Sequence, residues 1–169
     1  MKKVIKIFMF FTCINSSTAL AACDEKIVES SPSSSFILNG GEAYDQKTEL
    51  TWSRCSLGTT WMDGAGCVGT VKLMRLDEAK RTAQSLGADW HIPTIEELYS
   101  ILEQKCTEPA INTTVFPSVK NFSEGAPYWT DTRIEDIPSL IYYIDFFNGG
   151  IDGHTKGFPL AVRLVRSGK

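Results

Sequence analysis

The chain has 169 residues, 43% of them hydrophobic, with 17 basic side chains against 20 acidic ones and a net charge of −3. That length supports one domain with its own core and is short for two. The acidic balance speaks against a nucleic-acid partner, which selects a basic face, and against a large polyanion.

The N-terminus, MKKVIKIFMFFTCINSSTALAAC, sets Lys2, Lys3 and Lys6 at the head of an apolar run that ends at Ile14, with small residues after it. This three-part pattern predicts a secretory signal over residues 1–21, cut after Ala21 on the Ala19/Ala21 rule. The run is too short to cross a bilayer as a helix. Losing the three lysines leaves 17 minus 3 basic residues against 20 acidic, a charge near −6. Leu20-Ala21-Ala22-Cys23 also fits a lipoprotein signal, in which Cys23 would be acylated and would attach the protein to a membrane. Cys13 leaves with the signal, and Cys23, Cys55, Cys67 and Cys106 remain. An even number in an exported chain suggests two disulfides, whereas a lipidated Cys23 would strand one thiol. The expected localisation is periplasmic, cell-surface or extracellular.

Residues 22–35 read as a flexible or extended arm, because ESSPSSS is polar and low in complexity. A globular domain is expected over residues 36–169. FILNGGEAYDQKTELTWSRC predicts hairpins, with turns at Asn39-Gly40-Gly41 and at Asp45 to Thr48 and with Leu50 and Trp52 on a half-buried strand. RCSLGTTWMDGAGCVG reads as a loop carrying Gly58, Gly64, Gly66 and Gly69. Cys55 and Cys67 are the natural pair to staple it, a closure worth about 3 kcal/mol. In RLDEAKRTAQSLG, Leu76, Ala79, Ala83 and Leu86 recur at helical spacing before Gly87.

DWHIPTIEELYSIL predicts a second helix. Thr94 and Glu97 form a T-x-x-E capping box after Pro93, and Leu98, Ile101 and Leu102 face one way. Trp90 and Ile92 belong to a short buried segment entering it, so no residue of this stretch needs a catalytic explanation. Residues 107–121 read as an ordered long loop whose Pro109, Ile111, Val115 and Phe116 need burial. APYWTDT and LIYYIDFFNGG read as strands, with a turn at Asn148-Gly149-Gly150. LAVRLVR reads as a last strand, with Ala161, Arg163 and Val165 on one face and Val162, Leu164 and Arg166 on the other.

Signatures of catalysis are missing from the sequence. There are two histidines, His91 and His154, with no H-x-x-x-H pair, and the cysteine spacings do not fit a zinc ribbon. No G-x-S-x-G elbow, G-x-G-x-x-G turn or P-loop occurs. The expectation is a chain that is not an enzyme and carries no metal or other cofactor. Calcium at Asp145, Asn148 and Asp152, with Asp131 nearby, is the alternative, although these do not match an EF-hand loop. Four tryptophans could stack on sugar rings. Core packing explains Trp52 and Trp90, which leaves Trp61 in the stapled loop and Trp129 beside polar residues as the candidates.

Five motifs in order, NGGEAYDQKTELTWSRCSLGTTWMDGAGC, DWHIPTIEELYSIL, PAINTTVFP, YWTDT and VRLVRSG, resemble the Lcl C-terminal domain family, named after the C-terminal domain of a bacterial collagen-like adhesin. The resemblance implies an α+β, C-type-lectin-like fold: two helices, a small antiparallel sheet and long disulfide-stapled loops. The IPTIEEL corner is also similar to that of formylglycine-generating enzymes, but no cysteine follows Cys106 to supply their active-site pair. For the adhesin, the family implies glycosaminoglycan binding through a basic trimer surface. This chain departs from it in lacking a collagen-like stalk and in being acidic. Cys106, just before PAIN, and Cys23, just before the arm, suggest the second bridge, tying the arm to the end of the second helix.

The reading that results is an exported, non-catalytic, adhesin- or lectin-like module that binds a glycan or a surface protein, as a monomer or an oligomer. Its expected contacts are Trp61, Trp129, Asp131, Arg133, His154 and Lys156. The alternative is a structural or assembly subunit of an appendage or envelope complex, which would show an apolar patch around Ile141, Tyr143 and Phe147.

Overall fold

The structure is a computed structural model and describes residues 22–87 and 89–169. The expected signal, residues 1–21, lies outside the described residues. The elements in chain order are β1 (Ala22–Cys23), β2 (Phe36–Asn39), β3 (Glu42–Asp45), β4 (Leu50–Ser53), β5 (Thr59–Met62), β6 (Gly66–Gly69), α1 (Leu76–Leu86), α2 (Ile95–Ser100), β7 (Cys106–Thr107), β8 (Pro127–Ile134), β9 (Ile137–Asp145), β10 (Gly150–Thr155) and β11 (Val165–Ser167). Among the described residues the architecture is α+β, with two α-helices and four small antiparallel sheets in the orders β1-β7, β11-β4-β3-β2, β5-β6 and β10-β9-β8.

Local chemistry explains the hairpins of the four-stranded sheet. Asp45 closes the β3–β4 turn: its Oδ1 accepts from the Lys47 amide at 2.9 Å and its Oδ2 from the Thr48 hydroxyl at 2.7 Å. The capping box of α2 is present in full, with the Glu97 amide donating to Thr94 Oγ1 and the Thr94 amide to Glu97 Oε2. Leu98, Ile101 and Leu102 are buried as their spacing predicts. On α1, Leu76, Ala79 and Ala83 are buried, but Leu86 is 55% exposed. The helix ends at that residue, past the edge of the surface it covers.

Two apolar clusters form the core. One packs Trp52, Leu98, Ile101, Phe116, Tyr128 and Phe146, and the other packs Met74, Leu76, Trp129, Ile141 and Val162. The long loop contributes Ile111, Val115 and Phe116 to the first cluster, with Pro109 half-buried. Asn112 shapes that loop, accepting from the Thr114 and Val115 amides at 3.1 and 3.2 Å.

Three expectations need correction. LAVRLVR is a ladder strand only over Val165–Ser167, although its side chains alternate as expected. Ala161 and Val165 enter the first cluster with Arg163 over Phe116, and Val162 and Leu164 enter the second with Arg166 over Trp90. Leu160 to Val165 are therefore all buried as the segment threads between the clusters. The glycine loop after Cys55 contains the β5–β6 hairpin. A further strand, β10, follows the Asn148 turn and completes the sheet with β9.

Both disulfides are formed, Cys55–Cys67 and Cys23–Cys106. The Cys23 sulfur is therefore bonded to Cys106, the pairing expected for a chain with two bridges. Two such bridges point to an oxidising compartment. No helix among the described residues is long and apolar enough to cross a membrane.

Candidate functional site

Trp61 sits on β5, half-buried, in the hairpin that the Cys55–Cys67 bridge closes. Its ring lies under the Arg54 guanidinium, 3.8 Å from carbon to ring centroid, and its Nε1 donates to Asp63 Oδ1 at 2.9 Å. Arg54 is itself fixed: Nε donates to Val115 O, and its two terminal nitrogens donate to Gly40 O and Thr114 O, at 2.9–3.1 Å. The cation–π contact is thus pre-organised and not held by Trp61 alone. Burial lowers the Arg54 pKa from its ordinary value. Gly41 permits the close approach of the hairpin, since a Cβ there would come within 2.9 Å of Trp61 Cβ.

Trp61 and Trp90 line one groove of about 600 Å³ whose walls also carry Asn39, Glu42, Ser53 and Leu86. Trp90 is half-buried and has the Arg166 guanidinium 5.4 Å from its ring centroid. Arg166 in turn donates to Glu42 Oε2 at 2.9 Å. Each indole therefore has an arginine over its ring, and the Glu42 carboxylate lines the same groove. Such a site offers flat apolar surfaces for stacking and planar polar groups for orientation.

The other expected contacts do not join it. Trp129 is fully buried in β8, with Nε1 donating to Met74 O at 2.8 Å, and is a core residue rather than a ligand contact. Its strand is covered on both faces, so Tyr128, Trp129 and Thr130 are all buried despite their polar neighbours. Asp131 pairs with Lys80 of α1. Arg133 is exposed at a register shift between β8 and β9. His154 stacks on Phe158 with centroids 3.9 Å apart, and Lys156 reaches Asp77 at 3.9 Å. The expected apolar patch is not exposed either: Ile141 is buried, and Tyr143 and Phe147 pack against the two clusters.

In the acidic loop, Asp145 Oδ1 accepts from the Ala126 and Phe147 amides at 2.6 and 2.8 Å. Asn148 Oδ1 accepts from Gly150 at 2.7 Å, and Asp152 Oδ1 from Gly153 at 2.7 Å. These groups shape turns. Sequence reasoning missed Trp90, Arg54, Glu42 and Arg166 as one constellation. The one local signal was Arg54, a charged residue in the apolar setting of TWSRC.

A comparison with curated proteins gives no match. The sequence model of the Lcl C-terminal domain matches residues 41–166, a span that runs from the glycine under Trp61 to the arginine over Trp90. With its five motifs falling in the expected order inside and around that span, the chain belongs to the Lcl C-terminal domain family.

Proposed function

We propose that this protein is an exported, non-catalytic, adhesin-like binding module with a C-type-lectin-like fold, and that the groove between Trp61 and Trp90 takes a glycan. The observation that carries this reading is the pair of arginine-braced indoles facing one groove. Sugar rings present C–H faces that stack on indoles, and their hydroxyls bond to planar polar groups such as Glu42 and Asn39. Because Arg54 and Arg166 are already bonded, little side-chain freedom is lost on binding. Family membership adds weight to the adhesin-like reading. The groove needs neither a metal nor another cofactor.

The test is a glycan and glycosaminoglycan array, read with and without calcium. A saturable hit that Trp61→Ala weakens about tenfold or more, while the fold is retained by circular dichroism, supports the groove. A hit that needs calcium would move the site toward the acidic loop. A blank array from folded protein overturns the glycan reading and transfers the weight to an assembly subunit with a protein partner.

A further inference from the structure

A second cleft, of about 380 Å³, lies against the three-stranded sheet, away from the tryptophan groove. Four rings line it: Phe122 from the loop before β8, Tyr143 from β9, His154 from β10 and Phe158 beyond it. His154 and Phe158 are stacked within 21° of parallel, which stiffens that wall. Phe158 is 47% exposed and Leu73, also on the cleft, is 40% exposed, so apolar surface here is left open to solvent.

Carboxylates stand close to the rings. Glu124 lines the cleft and is exposed, and no lysine or arginine occurs among the described residues lining it. Asp145 stands behind Gly125, where a Cβ would collide with its carboxylate. Asp152 is opposite Tyr143 in the β9–β10 ladder. Burial first, and then Asp152 and Asp145, raise the Tyr143 pKa, which reflects the negative field at this end of the sheet.

We propose that this cleft binds a small alkylated ammonium cation of the choline type. Ring faces attract a cation through their quadrupole, and an alkylated ammonium is poorly hydrated and so is desolvated cheaply. Its methyl groups match the Leu73 and Leu160 walls, and Glu124 supplies the opposite charge. A volume of about 380 Å³ lies near the small end of ligand sites, which run about 300–1,000 Å³, and suits a headgroup rather than a polymer.

The experiment is calorimetric titration of the purified protein with choline chloride, with sodium chloride as the blank and 3,3-dimethyl-1-butanol as the uncharged isostere. Choline binds saturably with a dissociation constant of about 1–10 mM, and the isostere binds about tenfold more weakly or not at all. Phe158→Ala lowers choline affinity about tenfold and Glu124→Gln about threefold, and both positions are exposed enough to tolerate change. Trp61→Ala leaves choline binding intact, which separates this site from the glycan groove. Soluble phosphocholine and phosphatidylcholine vesicles, compared side by side, tell a free or glycan-borne headgroup from a lipid one. No saturable heat with choline overturns the proposal. So does an isostere that binds as tightly as choline, or wild-type affinity in both variants.

Discussion

The region around Cys55–Cys67 is built on a buried cation, and the arm around Cys23–Cys106 is built on a buried anion. Arg163 is fully buried and donates to Ser53 O at 2.6 Å and Arg54 O at 2.7 Å, with Ser56 Oγ at 3.3 Å. Its guanidinium also lies 4.7 Å from the Phe116 centroid. It thereby satisfies carbonyls that the irregular backbone leaving β4 does not pair in a ladder. Glu103, also buried, does the converse for the arm. Its carboxylate accepts from the Ser30, Ser31 and Lys105 amides at 2.9–3.0 Å and from the Ser30 hydroxyl at 3.2 Å. Irregular backbone needs partners of whichever polarity it leaves exposed. A cation serves carbonyls and an anion serves amides, and only the anion titrates in the acid range.

The largest effect is expected at Arg163. Arg163→Ala strands the Ser53 and Arg54 carbonyls, leaves a cavity between Phe116 and Tyr128, and should cost about 5 kcal/mol. Urea unfolding checks this. A loss below about 1 kcal/mol would mean that water replaces the guanidinium, and the claimed symmetry with Glu103 would fail.

The disulfides come next and rank the two regions differently. Cys23–Cys106 closes a separation of 83 residues and Cys55–Cys67 one of 12. Chain entropy then predicts losses of about 4.5 and about 3 kcal/mol for the paired Cys→Ser variants. Thermal unfolding of the two variants should place the Cys23/Cys106 pair lower. The opposite order would show that the arm is held by Glu103 rather than by its bridge.

Parts of this arrangement were legible in the sequence because their causes are local. The Thr94–Glu97 capping box depends on residues three apart, and the staple at Cys55–Cys67 depends on two neighbouring cysteines in a glycine-rich loop. The β10 strand was not legible, since GIDGHT alternates nothing apolar and owes its place to the ladder with β9. Trp129 misled because polarity along β8 does not report burial when both faces of the strand are covered. Trp61 and Trp90 converge only through the folding of β5 against the turn between β2 and β3, which no local pattern encodes. The roles of Arg163 and Glu103 were likewise hidden, because their partners are backbone atoms distant in the chain.

The smallest effect is the most diagnostic of the comparison. Burial alone would push the Glu103 carboxyl up, but the Ser31, Ser30 and Lys105 amides and the Ser30 hydroxyl outweigh it and hold the carboxyl below its ordinary range. A depressed folded value means that the stabilisation is complete above the unfolded value, about pH 4.3, and is lost as the pH falls through the lower folded one. Glu103→Gln should therefore cost about 2 kcal/mol at neutral pH, since an amide cannot accept with both of its heavy atoms. The gap between variant and wild type should narrow below about pH 4.3, while the Arg163→Ala deficit should not change there, because arginine stays charged throughout. Hydrogen exchange at the Ser30 and Ser31 amides localises the effect. Protection lost at acid pH in those amides, with the β5–β6 hairpin still protected, is what opposite buried charges in the two regions require.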